Sequence, residues 1–233
     1  MGATRLPGKN LMDLEGEPVL ARVMHRIRRS TTIDAFVVAT TEEQSDDPLA
    51  ELCHSRGWRC FRGRESDVLD RYYRAACEVQ ADVVVRVTSD CPLHDSDVLD
   101  TVVREFRAHQ PGTHYVSNVL ERRTFPRGLD TEVMRFDALE KAWKEDENPV
   151  WREHVTPYIY RNPDSFVVHG VFADADYEHM RWTLDTPRDL KFIRTVYAHY
   201  KDDAFSWKDV LRLLHHHPEY LEINRDVEQK VVD

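Results

Sequence analysis

Residues 83–90 read Val-Val-Val-Arg-Val-Thr-Ser-Asp, and this stretch is the strongest indication of the fold class. A short apolar run without regular polar alternation is typical of a strand buried on both faces of a parallel sheet, so we predict a strand over 83–88. Asp90 follows this strand. In open α/β sheets, ligands bind outside the carboxyl ends of the strands, and a carboxylate there suits a hard cation such as Mg²⁺. A turn-forming aspartate is the alternative interpretation of Asp90.

Helical and strand-like segments alternate on both sides of this strand. The run Phe-Val-Val-Ala-Thr-Thr (36–41) is a second apolar strand of the same kind. Apolar residues recur at helical spacing in four further segments. Helices are therefore predicted over 18–29, 49–56, 67–80 and 96–109. This alternation implies right-handed crossovers and a three-layer α/β fold with a mostly parallel sheet.

The part of the chain beyond Pro111 has a mixed α+β pattern. Strands are predicted there over 115–119 and 166–172, and helices over 136–145, 150–161, 187–200 and 207–216. No internal repeat, low-complexity run or Gly/Ser-rich linker interrupts the chain. We therefore predict a single domain over 1–233.

The composition narrows the class of protein. The 233 residues include 32 Lys and Arg against 42 Asp and Glu, and the net charge of −10 argues against a nucleic-acid binder. No stretch approaches the roughly 20 apolar residues of a membrane span, and the N-terminus lacks the pattern of a signal peptide. We expect a cytoplasmic protein without membrane contact. Its four cysteines form no C-x-x-C pair and are expected to be reduced thiols.

Two further groups of charged residues have both a functional and a plainer interpretation. Asp185 lies in Arg-Trp-Thr-Leu-Asp-Thr-Pro (181–187), where it is either a second metal ligand or part of a helix cap. Arg5 and Lys9 flank Leu-Pro-Gly near the N-terminus. This arrangement indicates a phosphate-binding turn or, more plainly, a solvated loop.

A third group, Asp174-Ala-Asp176, follows an apolar segment. Its D-x-D spacing is used by some glycosyltransferases to hold a metal-bound nucleotide sugar. Acids in a surface turn are the plainer explanation. A metal-dependent glycosyltransferase is therefore retained as an alternative function.

Seven segments resemble the spore coat polysaccharide biosynthesis protein F-like cytidylyltransferases, which are relatives of the enzymes that make CMP-activated 3-deoxy-octulosonate and acylneuraminate. These segments are 1–9 (Met-Gly-Ala-Thr-Arg-Leu-Pro-Gly-Lys), 38–41 (Val-Ala-Thr-Thr), 61–63 with 67–76, 88–93 (Thr-Ser-Asp-Cys-Pro-Leu), 126–133 (Pro-Arg-Gly-Leu-Asp-Thr-Glu-Val), 152–160 and 181–187. The resemblance extends in order over nearly the whole chain.

The resemblance implies a Rossmann-like nucleotide-diphospho-sugar transferase fold. It divides the domain into a nucleotide-binding half (1–110), a mixed region for sugar binding and dimer contact (111–180), and a part with the second metal acid and the C-terminal helices (181–233). The implied reaction converts CTP and an acidic or amino sugar into a CMP-sugar and pyrophosphate, for surface polysaccharide biosynthesis.

The resemblance also implies roles for individual residues. Arg5 and Lys9 match the phosphate-binding loop and act in catalysis, while Asp90 and Asp185 match the acids that bind Mg²⁺. Two residues fall near the nucleotide base, namely Asp67 and Arg71. Five residues fall in the region that faces the sugar, namely Arg127, Asp130, Glu132, Arg152 and His154. A structural ion pair is the alternative role for any of these charged side chains.

The chain departs from the family pattern at its N-terminus. The family usually has Ser where Ala3 stands, and its first strand with a Gln-Ala-Arg stretch precedes the position of Met1. The expected consequence is a gap in the sheet beside the nucleotide loop, since such a strand is about five or six residues long. We interpret Met1 as a start downstream of the native one. A sugar-nucleotide binding protein without turnover is the alternative if Met1 is the native start.

Overall fold

The structure is a computed structural model, and it describes residues 5–229 of the chain. The helices are α1 (Val19–Ile27), α2 (Asp47–Ser55), α3 (Val68–Glu78), α4 (Ser96–Ala108), α5 (Phe136–Glu145), α6 (Pro149–His154), α7 (Pro157–Tyr160), α8 (Pro187–Tyr200) and α9 (Trp207–His216). The strands are β1 (Asp13–Leu14), β2 (Glu17–Pro18), β3 (Val37–Thr41), β4 (Arg59–Gly63), β5 (Val83–Arg86), β6 (Tyr115–Ser117), β7 (Glu132–Arg135) and β8 (Val168–Gly170). Short 3₁₀ turns cover Lys9–Leu11, Gln44–Asp46 and Pro218–Ile223.

Capping side chains explain where the main helices begin. The Thr186 hydroxyl and the Asp189 carboxylate form a capping box at the start of α8, and Ser206 and Asp209 form another at the start of α9. The Asp95 carboxylate accepts hydrogen bonds from two backbone amides in the first turn of α4. The predicted helices 136–145, 187–200 and 207–216 are confirmed to the residue.

The described strands form parallel and antiparallel pairs in three separate sheets. β3 and β4 are parallel, with Val37 opposite Arg59. A separate four-stranded sheet has the order β5-β7-β6-β8. β7 is antiparallel to β5 and β6, and β6 is parallel to β8, so β7 alone opposes the other three. The predicted α/β fold is confirmed, with β7 as the strand that runs against the parallel majority.

A wide gap separates β3 from β5. Among the described residues, no strand pairs with the edges of β3 and β5 that face each other. A cavity of about 630 Å³ lies between them, which we call the β3–β5 slot. It is lined by residues 37–40 and 83–89 and by side chains of α1, α3 and α4. The gap that the resemblance implies beside the nucleotide loop is therefore present among the described residues.

The sequence prediction was wrong at one helix and omitted short strands. The predicted helix over 150–161 is divided into α6 and α7 at Val155, whose φ of 73° is outside the helical range, and Pro157 begins the second piece. The strands β4 and β7 were not predicted, because they are four or five residues long and contain charged residues. The β1–β2 hairpin was also missed.

The largest apolar cluster joins distant parts of the chain. It contains Leu6 near the N-terminus, Phe106 of α4, Trp182, and Phe192 of α8, and Trp182 is fully buried. This cluster holds the segment before α8 against the end of β5. No helix within residues 5–229 is long and apolar enough to cross a membrane.

Candidate active site

The loop before α1 directs Lys9 toward the carboxyl end of β5. Gly8 has a φ of 71°, in the left-handed region that glycine adopts readily, and the Lys9 amide donates to the Leu6 carbonyl. Leu6 is buried in the largest apolar cluster and anchors the loop. Residues 1–4, which include the departure at Ala3, lie outside the described residues.

The two predicted metal acids converge on Lys9. The Lys9 Nζ lies 2.9 Å from Asp90 Oδ2, 2.9 Å from Asp185 Oδ1 and 2.7 Å from the Leu184 carbonyl. Burial by itself would lower the pKa of Lys9, but the pairing with Asp90 and Asp185 outweighs burial and raises it. Residues separated by up to 176 positions thus form one charged site.

A second set of cations surrounds Asp185. Arg5 and Arg181 donate to its Oδ2 atom at 3.0 and 2.8 Å. Burial acts to raise the pKa of Asp185, while Lys9, Arg181 and Arg5 together lower it. Asp189, which is fully buried, binds the Arg181 guanidinium at 2.9 Å and accepts from the Asp185 amide at 3.0 Å. Hydrogen bonds to both the carboxylate and the backbone amide of Asp185 therefore fix its orientation.

Arg181 and Asp189 were not predicted as members of the site. Both have a signal in the sequence, since Thr-Pro-Arg-Asp at 186–189 has capping-box spacing and Arg181 begins the segment that contains Asp185. The capping box alone does not show that Asp189 also binds an arginine. That second contact depends on the position of the segment before α8.

Backbone hydrogen bonds hold the two acidic loops together. The Leu184 amide donates to the Asp90 carbonyl at 2.7 Å, and the Trp182 amide donates to the Arg127 carbonyl at 2.7 Å. Gly128 has a φ of 112°, and a Cβ there would lie 2.7 Å from the Trp182 carbonyl carbon. Any larger residue at position 128 would separate these segments.

Asp90 and Asp185 supply the carboxylate oxygens that Mg²⁺ prefers in proteins. Mg²⁺ is usually held by one or two protein carboxylates together with substrate phosphates and water. Both carboxylates contact the same Lys9 nitrogen, so they lie on two sides of one charged position. No group of three His, Cys, Asp or Glu side chains within residues 5–229 could hold a metal by itself. Phosphate oxygens and water would have to complete the coordination shell.

Arginines lie beside this site on the segment before β7. Arg123, which was not predicted as a site residue, binds Asp130 with two hydrogen bonds of 2.5 and 2.8 Å. Burial acts to raise the pKa of Asp130, and Arg123 and the Gly128 amide lower it. Arg127 is half-buried, and its guanidinium has no hydrogen-bond partner among the described side chains. Its pKa is lowered by burial and by the neighbouring Arg123 and Arg181.

Glu132 lies inside the protein rather than on an open surface. It is 5% exposed, and Tyr115 and Thr156 donate to its Oε1 atom at 2.7 and 2.5 Å. Arg86 pairs with the other carboxylate oxygen. The structure thus gives Glu132 the contacts of a structural ion pair.

The other predicted nucleotide and sugar residues lie around the start of α3. Asp67 caps α3, and its Oδ2 atom accepts from the Arg152 Nη2 atom at 2.8 Å. These two residues, predicted to bind different parts of the ligand, therefore bind each other. Arg71 is 8% exposed, and its Nε atom is buried without a partner in the described structure. His154, at the end of α6, is half-buried.

The D-x-D segment forms an exposed turn. Asp174 and Asp176 are both exposed, and Asp176 Oδ1 accepts from the Glu178 amide at 3.0 Å. These contacts agree with the interpretation of the two acids as residues of a surface turn.

Comparisons with known proteins agree with the fold. A family model described as Cytidylyltransferase matches residues 1–222. The protein MJ1063 of Methanocaldococcus jannaschii is 37% identical over 232 residues, covering 98% of this chain and 93% of that protein. The spore coat polysaccharide biosynthesis protein SpsF of Bacillus subtilis is 32% identical, covering 94% of this chain and 92% of SpsF.

A solved structure of a cytidylyltransferase from Leptospira borgpetersenii is similar over the whole chain. Its TM-score is 0.91 at 32% identity, and the match covers 100% of this chain and 95% of the other. Together with the family match over residues 1–222, these relatives identify the class of enzyme as a nucleotidyltransferase. The chain belongs to the cytidylyltransferase family.

Proposed function

We propose that the protein transfers CMP from CTP to a sugar, with Mg²⁺ bound by Asp90 and Asp185. The observation that carries the proposal is the convergence of both carboxylates on the Lys9 ammonium. This places a cation and two acids at the carboxyl end of β5, where nucleotides bind in α/β folds. The relative SpsF is a spore coat polysaccharide biosynthesis protein, which supports a sugar as the acceptor.

In the proposed reaction, a sugar hydroxyl oxygen bonds to the α-phosphorus of CTP. The bond between this phosphorus and the oxygen bridging to the β-phosphate breaks, pyrophosphate leaves with the electron pair, and the hydroxyl proton passes to solvent. Catalysis of such a step depends mainly on alignment and charge stabilisation. When bound, Mg²⁺ supplies neutralisation of phosphate charge and polarisation of the α-phosphorus.

The chain's own residues supply the remaining stabilisation. Lys9 and Arg5 are held near the metal acids, where they would bind phosphate oxygens and oppose the charge that develops on pyrophosphate. Arg181 and Asp189 fix the orientation of Asp185. Arg127 is available to bind an anionic group of the sugar, which favours an acidic substrate.

Incubation with CTP, Mg²⁺ and a panel of keto-acid and amino sugars tests the proposal. We expect pyrophosphate release together with a CMP-sugar detected by mass spectrometry. Lys9→Met should lower kcat by about 10²- to 10³-fold, since removing one preorganised donor has that effect in other enzymes. The matched control Lys208→Met changes an exposed lysine of α9 and should leave the rate unchanged.

Two further variants distinguish CMP transfer from the glycosyltransferase alternative, and a binding measurement distinguishes it from a sugar-nucleotide binding protein. Asp90→Ala should abolish pyrophosphate release, whereas Asp174→Ala in the exposed turn should retain it. Loss of activity in Asp174→Ala alone would contradict the assignment of the metal acids. CTP binding by calorimetry without product from any sugar would instead support a binding protein.

A further inference from the structure

The segment 224–229 returns from the last 3₁₀ turn to the candidate active site. It follows Pro218–Ile223 and lies beyond residues 1–222, the part of the chain that the family model matches. Asn224 is 3% exposed, whereas the next two residues, Arg225 and Asp226, are exposed. Buried polar side chains in folded proteins are hydrogen-bonded, so the burial of Asn224 in an otherwise open segment indicates a specific contact.

Both partners of the Asn224 side chain belong to the site. Its Nδ2 atom donates to the Arg181 carbonyl at 2.9 Å and to Asp189 Oδ1 at 3.0 Å. The amide group of an asparagine has two donor hydrogens, and each of these acceptors takes one. The same Asp189 Oδ1 atom accepts from Arg181 Nε at 2.9 Å. Asn224 thus holds Arg181 at its backbone and at the carboxylate that orients its guanidinium.

These contacts continue from Arg181 to Asp185. The Arg181 Nη2 atom donates to Asp185 Oδ2 at 2.8 Å. The side chains of Arg181 and Asp189 are 9% and 0% exposed, so water is poorly placed to replace a hydrogen bond that Asn224 loses. Groups that orient the ligands of a metal are themselves sensitive positions, because a misdirected ligand binds its metal less well.

The same segment also contacts the outer nitrogens of both arginines beside Asp185. The Glu228 carbonyl accepts from Arg5 Nη1 at 3.0 Å, and Gln229 Oε1 accepts from Arg181 Nη1. In each arginine, the Nη2 atom binds Asp185. Each cation is therefore held between the Asp185 carboxylate and the segment that begins at Asn224.

We propose that Asn224 is a positioning residue for CMP transfer. By holding the Arg181 backbone and Asp189, it keeps the Arg181 guanidinium on Asp185, and so keeps that carboxylate oriented toward Mg²⁺ and CTP. Asn224 itself contacts neither substrate. This role rests on the proposed function, because Asp185 takes part in the reaction only as a metal acid.

The variant Asn224→Ala tests the role. We expect kcat/KM for CTP to fall by about 10- to 100-fold, as is typical when a partner of a metal ligand is removed. The Kd of CTP, measured by calorimetry with Mg²⁺ and without any sugar, should rise. Arg225→Ala is the matched control, since Arg225 is the exposed neighbour and pairs with Glu222. It should change neither quantity.

A double-mutant cycle separates positioning from a general effect on the fold. Arg181→Lys keeps a positive charge beside Asp189 but lacks the planar fork that joins Asp189 to Asp185. If Asn224 acts through Arg181, then adding Asn224→Ala to Arg181→Lys should change kcat/KM by less than about twofold. Losses that multiply in the double variant would overturn the proposal, because they would show that the two residues act independently.

Asn224→Ser, which keeps one donor, is the second variant, and circular dichroism at the assay temperature checks that each variant is folded. Its kcat/KM should lie between those of the unsubstituted protein and Asn224→Ala. Transfer or CTP binding equal to that of the unsubstituted protein in both Asn224 variants would overturn the positioning role alone. An unsubstituted protein that neither transfers CMP nor binds CTP would instead overturn the proposed function, and the positioning role with it.

Discussion

The two edges of β5 differ in how their polar groups are satisfied. On one edge, β7 pairs with β5 residue by residue, from Val83 opposite Arg135 to Arg86 opposite Glu132. On the other edge lies the β3–β5 slot, where Arg86 Nε is buried without a partner in the described structure. In this one side chain, Nη1 is paired with Glu132, whereas Nε has no hydrogen-bond partner in the described structure.

The two sides of β5 also differ in how closely their residues are packed. On the β7 side, Glu132 is bound by Tyr115, Thr156 and Arg86, and Val133 is fully buried. On the slot side, Val37 is only half-buried. We therefore expect substitutions on the β7 side to destabilise the protein more than matched ones on the slot side.

The largest effect is expected for Glu132→Ala. Burial would lower the pKa of Arg86, and the pairing with Glu132 raises it, so removing Glu132 leaves a buried charge without compensation. Breaking a buried ion pair by removing one partner typically destabilises by about 3–5 kcal/mol. Urea unfolding at pH 7.5 measures the loss.

Glu132→Gln is the matched control, because its amide oxygen still accepts from Tyr115 and Thr156. It should lose less stability than Glu132→Ala. A loss below about 1 kcal/mol in Glu132→Ala would show that the paired edge is not the more stable one.

The next effect is a loss of stability at acidic pH through His94. This side chain lies in the loop between β5 and α4 and is fully buried, and burial together with Arg26 lowers its pKa from 6.5 to about 4. Between pH 6.5 and 4, the unfolded chain binds a proton at His94 that the folded chain does not bind. The free energy of unfolding should therefore fall by about 3 kcal/mol as the pH falls through this range.

Urea unfolding at pH 7.5 and pH 4 measures this decrease in the free energy of unfolding. His94→Gln retains a polar group near the Thr131 hydroxyl, which lies 3.0 Å from the His94 Nε2 atom, but it does not titrate. Its stability should decrease less over the same range. An equal decrease in both proteins would rule out His94 as the titrating group.

The smallest effect on stability is expected for two matched valine-to-alanine substitutions. Val133→Ala on β7 removes two buried methyl groups and should destabilise by about 2 kcal/mol. Val37→Ala, at the slot, enlarges a space that already exists and should cost less than about 1 kcal/mol. Thermal unfolding of both variants gives the comparison, and equal losses would indicate that the slot side is packed as tightly as the β7 side.

The sequence predicted the long elements and missed the short ones. Helices such as α8 were predicted to the residue because their periodicity and capping residues are local signals. β7 was missed because Glu-Val-Met-Arg is short and has charged ends, and its place between β5 and β6 depends on distant pairing. The helix over 150–161 was wrong because the positive φ at Val155 has no local signal.

Four charged residues of the candidate site were predicted from the sequence, but their contacts and their further partners were not. Arg5, Lys9, Asp90 and Asp185 belong to segments that resemble a known family, and the structure brings all four together. Arg123 and Arg181 were not predicted, since an arginine in a loop has many plausible roles. Glu132 lies in the protein interior because its hydrogen-bond partners come from β6 and the residue before α7.

Local periodicity and capping residues predicted the alternation of helices and strands and hence the α/β class. The resemblance of seven segments to a known family implied the roles of the acids and cations and the gap beside the nucleotide loop. The contacts of Lys9 with Asp90 and Asp185, and that of Asp67 with Arg152, became known from the folded chain alone. Such pairings join residues 81 to 176 positions apart, so they arise from the packing of whole elements, which no local pattern specifies.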